Sequence, residues 1–176
     1  MKKKDKNIGV KPQFERKIDE SFFKMDQRFV QGSEFVYILS IILLFFGIMG
    51  LIWMIPFPEL DFLVSLNMQN FLNWGSFYIA IVIYFYLRLA PTLSYAVLFT
   101  IGVMSFLIVQ LEYVERAGGP AVWLVSLLFI VAGFVGLLLN SKKETPSTSW
   151  SELGSLITLG PIWYWSKVFK RFNIKY

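Results

Sequence analysis

The side chains available for chemistry are hydroxyls, carboxylates, lysines and arginines, because this 176-residue chain has neither cysteine nor histidine. Without cysteine there is no disulfide, no thiol nucleophile and no Cys-ligated metal. Without histidine the chain lacks the commonest metal ligand and the side chain that titrates nearest neutral pH. The polar residues within its apolar part are few. Arg88 and Glu112 fall near opposite ends of apolar segments, where long side chains reach water, and Gln110 lies about one turn from an edge. Ser40, Thr100, Ser105 and Ser126 sit where a hydroxyl bonds a carbonyl of its own helix. A proton-coupled transporter needs an ionisable group near mid-membrane. Glu112 is the nearest candidate, and a boundary carboxylate beside Tyr113 accounts for it more simply. No phosphate-binding Gly-rich loop, Walker pattern or nucleophile elbow is present.

The elements that must carry these groups are membrane helices. The chain is 56% hydrophobic and 16% charged, with mean hydropathy +0.56, too apolar for an ordinary soluble domain. Fifteen of its seventeen Lys and Arg residues lie outside a hydrophobic block running from about Val36 to Leu139. Nine precede the first span, none falls in the first loop, Arg88 and Arg116 fall in the second and third, and six follow the last span. Basic residues resist translocation, so this distribution predicts an all-α bundle of four transmembrane helices in the cytoplasmic membrane, both termini cytoplasmic. The basic residues flank spans rather than forming one continuous face, which points to anionic headgroups and away from nucleic acid despite a pI near 9.4. No apolar core with a small-residue cleavage site precedes the first span, so that span is expected to act as its own insertion signal.

Residues 1–13 read as a disordered basic tail, and 14–176 as one membrane domain. Phe14, Ile18, Phe22, Met25 and Phe29 recur along one face of a helix expected over 14–30. That face either lies in the membrane surface or packs on other cytoplasmic segments of the same chain. Ser33 can cap the next helix. The spans are expected at about 35–55, 71–87, 92–111 and 121–139. Pro56 and Pro58 end the first, and Pro91 suits the first turn of the third. Residues 63–72 are half apolar and suit the outer interface. Glu112, Glu115, Arg116 and Gly118-Gly119-Pro120 form the expected outer turn. Gly133 and Gly136 share a face of the fourth span and predict close helix packing within the bundle. A polar connector, Glu144 to Ser151, leads to an apolar stretch over 153–169 with Trp163, Tyr164 and Trp165. If that stretch spanned, Lys170, Arg171 and Lys175 would move outside and Pro161 would sit inside the spanning helix, so it reads as an interfacial or re-entrant helix on the cytoplasmic side. No internal repeat is evident.

Three stretches together resemble the 2-hydroxy fatty acid dioxygenase-like family of small membrane proteins, relatives of a yeast enzyme of fatty acid α-oxidation. They are Gly50-Leu51-Ile52-Trp53-Met54-Ile55-Pro56-Phe57-Pro58, then Leu72-Asn73-Trp74 with Tyr86-Leu87-Arg88-Leu89-Ala90-Pro91, and finally Leu159-Gly160-Pro161-Ile162-Trp163. The resemblance covers roughly Phe22 to Tyr176. It implies iron(II)-dependent oxidation of 2-hydroxy fatty acids, with the metal held by histidines in a His-x-x-Pro-x-Asn-type stretch before the first span and a Gly-His…Glu stretch after the fourth.

Here those stretches hold no histidine. Counting from Pro56 and Pro58, Arg28 and Tyr37 stand at the first two histidine positions. In Asn140-Ser141-Lys142-Lys143-Glu144, Ser141 stands where the other histidine is expected, and only Glu144 matches the pattern. Arginine and lysine repel Fe²⁺, and a carboxylate-only site of Glu34 and Glu144 would bind an oxidation metal poorly. The expectation is a non-catalytic relative without cofactor that binds membrane lipids or partner proteins. Its candidate site is a cytoplasmic mouth formed by Arg28, Tyr37, Ser141, Lys142, Lys143 and Glu144, where an acyl carboxylate pairs with a basic group while its tail enters the bundle. The alternatives are lipid oxidation at a relocated metal site and a small transporter using Glu112.

Overall fold

The computed structural model describes residues 14, 16–28, 33–58, 61, 65, 72–142 and 150–176. The expected basic tail, most of the 63–72 loop segment and most of the polar connector lie outside the described residues. Among the described residues the chain is all-helical: α1 (Lys17–Arg28), α2 (Glu34–Trp53), α3 (Trp74–Leu89), α4 (Pro91–Arg116), α5 (Val122–Ser141) and α6 (Trp150–Arg171). Three of them, α2, α4 and α5, are long and apolar enough to cross a membrane, which marks a membrane protein. The fourth expected span, α3, is apolar but has only 16 residues, a length of about 24 Å.

The tightest contact pairs α2 with α5. A Cβ added at Gly133 would come within 2.6 Å of the Ser40 carbonyl oxygen, and one at Gly47 within 2.5 Å of the Ser126 carbonyl oxygen. Likewise Gly136 faces the Ser40 hydroxyl and Gly50 the Ser126 hydroxyl. Backbones approach this closely only where side chains are missing. The packing expected of Gly133 and Gly136 is therefore met within the chain, by α2. The contact is reciprocal: Ser40, Gly47 and Gly50 have the same spacing as Ser126, Gly133 and Gly136. A repeat of 18 residues, Val36 to Trp53 against Val122 to Leu139, is thus present where none was evident from the sequence. One hydroxyl expectation also fails. Ser40, Thr100 and Ser105 donate to carbonyls four residues earlier, but Ser126 Oγ is buried with no hydrogen-bond partner among the described residues.

Local signals set the helix ends. Ser33 caps α2, its hydroxyl accepting from the Val36 N–H at 3.3 Å, and Pro91 opens α4. The expected outer turn begins only at Ala117, because α4 runs on through Glu112, Glu115 and Arg116. Its end is a Schellman closure: Gly118 has φ +91°, its N–H donates to the Glu115 carbonyl, and the Gly119 N–H donates to the Val114 carbonyl. The Glu115 carboxylate then accepts from the Val122 N–H at 3.0 Å, tying the end of α4 to the start of α5.

Two further expectations resolve in α1 and α6. Ile18, Phe22 and Met25 of α1 are buried within the molecule, which is the second of the two arrangements left open for that face. Helix α6 is continuous from 150 to 171 with Pro161 inside it, the residue that counts against a membrane span for this stretch. Pro161 has no N–H and leaves the Ile157 carbonyl without its helical donor. On either side of that gap, the Tyr37 hydroxyl donates to the Leu156 carbonyl at 2.6 Å and the Tyr86 hydroxyl donates to the Thr158 carbonyl at 2.9 Å. Hydroxyls from α2 and α3 thus engage the backbone around the proline. Because α6 contacts the first turn of α2, the last turn of α3 and the first half of α4, it lies across the end of the bundle where Glu34 sits.

Candidate functional site

At the Glu34 end, α6 presents Trp163 and Lys167, four residues apart and hence on one face. Trp163 is fully buried, its ring edge-on to Tyr37 at 5.7 Å. Its Nε1 donates to the Asp26 carboxylate at 3.0 Å. Lys167 Nζ donates to Glu34 Oε2 at 2.7 Å, lies 3.2 Å from Asp26 Oδ1 and sits 4.2 Å from the Trp163 ring centroid. A single ammonium therefore joins α1, α2 and α6. These three charged side chains are 30–42% exposed, so solvent screens the pairs and the ion pairing contributes about 1 kcal/mol or less. Its main effect is to fix position.

The residues expected at the mouth are placed differently from one another. Tyr37 is buried with its hydroxyl engaged by α6, so it lies beneath the surface rather than open to a ligand. Ser141 is half-buried and donates to the Leu138 carbonyl of its own helix at 2.9 Å. Lys142 is exposed at the end of α5, and Arg28 is the last residue of α1. Lys143 and Glu144 lie outside the described residues. Asn140, one residue before Ser141, is buried, and its Oδ1 accepts from the Ser33 N–H at 2.9 Å. It locks the start of α2 to the end of α5, and its Nδ2 has no partner among the described residues. Glu112 lies half-buried in the last turns of α4, at the opposite end of the molecule.

Asp26, Glu34 and Lys167 form the charged cluster that sequence reasoning did not assemble. The 163/167 spacing was visible, but nothing local tells which carboxylates from α1 and α2 meet Lys167. Neither Tyr37 nor Ser141 offers iron(II) a free, strong donor, and the carboxylates of Asp26 and Glu34 already face an ammonium. The donor set does not fit the metal that the family resemblance implies.

Beneath α6 lies a small apolar cavity of about 70 Å³ between α2 and α4, roofed by Gly160, Pro161 and Trp165. Gly160 is required there, since a Cβ would come within 2.6 Å of the Tyr37 hydroxyl. Trp165 Nε1 donates to Thr100 Oγ1 at 3.0 Å, which pins α6 to α4. Ile42, Thr100 and Met104 are shared with a larger groove of about 410 Å³ that continues between α2 and α4, away from α6, with Val125 and Phe129 of α5 along it. The chain matches no family model, no curated protein and no solved structure.

Proposed function

We propose that this chain is a four-span protein of the cytoplasmic membrane, both termini cytoplasmic, related to the 2-hydroxy fatty acid dioxygenase-like family but holding lipid instead of oxidising it. The observation that carries the proposal is the state of Tyr37. At a position where the resemblance calls for a metal-binding imidazole, a phenol is buried against Trp163 and donates to the backbone of α6. An open coordination site would need that volume and those lone pairs. Instead the hydroxyl supports the backbone beside Pro161 and helps roof an apolar cavity between α2 and α4. In support of α3 as the fourth span, Trp74 stands at its start and Arg88 at its end, residue types that anchor a short helix at the two interfaces. The basic residues at both chain ends favour the cytoplasmic orientation.

The test is metal analysis of the purified protein together with oxygen uptake on a 2-hydroxy fatty acid. We expect substoichiometric iron, no uptake, and co-purifying phospholipid. Stoichiometric iron with turnover would overturn the proposal in favour of a relocated metal site. Because the chain has no cysteine, single cysteines at Ala117 and Lys142 report topology with a membrane-impermeant thiol reagent. We expect labelling from outside only at position 117.

A further inference from the structure

The groove between α2 and α4 has the chemistry of a hydrocarbon site and of nothing more polar. Its inner wall includes Phe46 and Met104, both buried, while Ile42, Val103 and Leu107 form an exposed rim. Thr100 is the one hydroxyl among the described lining residues; its proton is committed to the Ala96 carbonyl and one of its two lone pairs to Trp165 Nε1. Among the described lining side chains no hydrogen-bond donor is left for a ligand. No lysine or arginine is among the described residues that line the groove, so a carboxylate drawn into it would be desolvated beside apolar side chains. An apolar space of this size does not hold water stably. What fits is a chain whose polar head stays outside.

The groove is directional. At one end Trp165 closes it by its bond to Thr100. At the other, where α4 and α5 are joined through Glu115, it runs out to Leu111 and Val125. The eleven helical steps from Thr100 to Leu111 span about 17 Å, against about 15 Å for half of a hydrocarbon core about 30 Å thick. Trp123, exposed in the first turn of α5, is the residue type that marks headgroup depth at that end.

We infer that the groove seats one acyl chain of an outer-leaflet phospholipid, its head beside the α4–α5 turn and its methyl end against the Thr100–Trp165 pair. The outer-leaflet assignment rests on the orientation proposed above; the seat itself rests on the lining. Helices α2 and α4 face each other across this space, and the chain is the filler that joins them.

The test uses the full-length protein in nanodiscs of phosphatidylethanolamine and phosphatidylglycerol, doped with phosphatidylethanolamine carrying a diazirine at the chain terminus or near the carbonyl. Cross-linked residues are mapped by mass spectrometry. We expect saturable labelling near Thr100 and Met104 with the terminal probe and near Leu111 and Val125 with the other. Leu107→Trp, which fills the groove from its rim, should abolish saturable labelling, and Phe106→Trp on the neighbouring lipid-facing surface should leave it unchanged. If Leu107→Trp is not monodisperse, Val103→Trp takes its place. Saturable labelling elsewhere, or labelling indifferent to these fillers, would overturn the groove site but leave lipid binding standing. Labelling that rises in proportion to probe on every apolar face, with no phospholipid retained through purification, would overturn both. A photoreactive fatty acid displacing the phospholipid at equal mole fraction would refute the assigned source, and a reversed depth gradient would refute the leaflet.

Discussion

The α2–α5 pair and the cover formed by α1 and α6 both hold helices together, but from opposite materials. Between α2 and α5, Gly47, Gly50, Gly133 and Gly136 remove side chains so that backbones meet, with the Ser40 and Ser126 hydroxyls facing Gly136 and Gly50. Between α1, α2 and α6, one lysine, two carboxylates and a tryptophan make directed bonds at partly exposed positions. The first contact depends on van der Waals packing and is indifferent to salt. The second combines a buried aromatic ring with screened charge. The bundle is thus built around a seam that resists solution conditions, closed at one end by a cover that responds to them.

Substitutions can break this contrast in order of size. The largest loss is expected from Trp163→Ala, which leaves a cavity at a fully buried site and should cost about 3–5 kcal/mol. Thermal melting in detergent measures it, and a shift no greater than that of an exposed position would show that the cover is not packed. Gly133→Leu should cost about 1–3 kcal/mol by overpacking against the backbone of Ser40 and Leu44, equally at low and high salt. A strongly salt-dependent loss would contradict a seam made of backbone contact. Tyr37→Phe should cost about 1 kcal/mol by removing the donor to the Leu156 carbonyl beside Pro161. Pairing it with Tyr86→Phe in a double-mutant cycle asks whether the two hydroxyls support α6 together, and simple additivity would say they act apart. The smallest effect belongs to Lys167→Met, at most about 1 kcal/mol and vanishing near molar salt. Limited proteolysis of α1 reads it, and release of α1 that is the same at every salt concentration would remove the electrostatic account.

What could be read in the sequence were features whose cause is local. The lengths of α2 and α5, the Ser33 cap, Pro91 at the start of α4 and the small-residue face at Gly133 and Gly136 each follow from neighbours in the chain. What escaped depended on partners far away. A helix through Pro161 is expected over 153–169, but nothing nearby in the chain tells that Tyr37 and Tyr86 supply hydroxyls to the carbonyls around it. Glu112 to Arg116 look like a polar turn until the Schellman closure at Gly118 and the bond from Val122 to Glu115 place the helix end beyond them. Of the candidate mouth, the structure brings Tyr37 to the cover but buries it, and it turns Ser141 back on its own helix. The residues that meet there, Asp26, Glu34 and Lys167, are ordinary surface charges by sequence, separated by up to 141 positions.

The matched Ser and Gly spacing of α2 and α5 also has a consequence for biosynthesis. Gly133 follows Gly47 by 86 positions, so at about 5–20 residues per second α2 waits roughly 4–17 s in the membrane before its partner is made. Throughout that interval its seam stays bare, because the α2 of a neighbouring chain inserts in the same direction and cannot supply the antiparallel contact. Of two chains made side by side on one messenger, each can meet that need only through α5, and the α5 of one chain runs antiparallel to the α2 of the other as well as to its own. How quickly α5 arrives sets the competition between a chain that closes on itself and two that exchange helices.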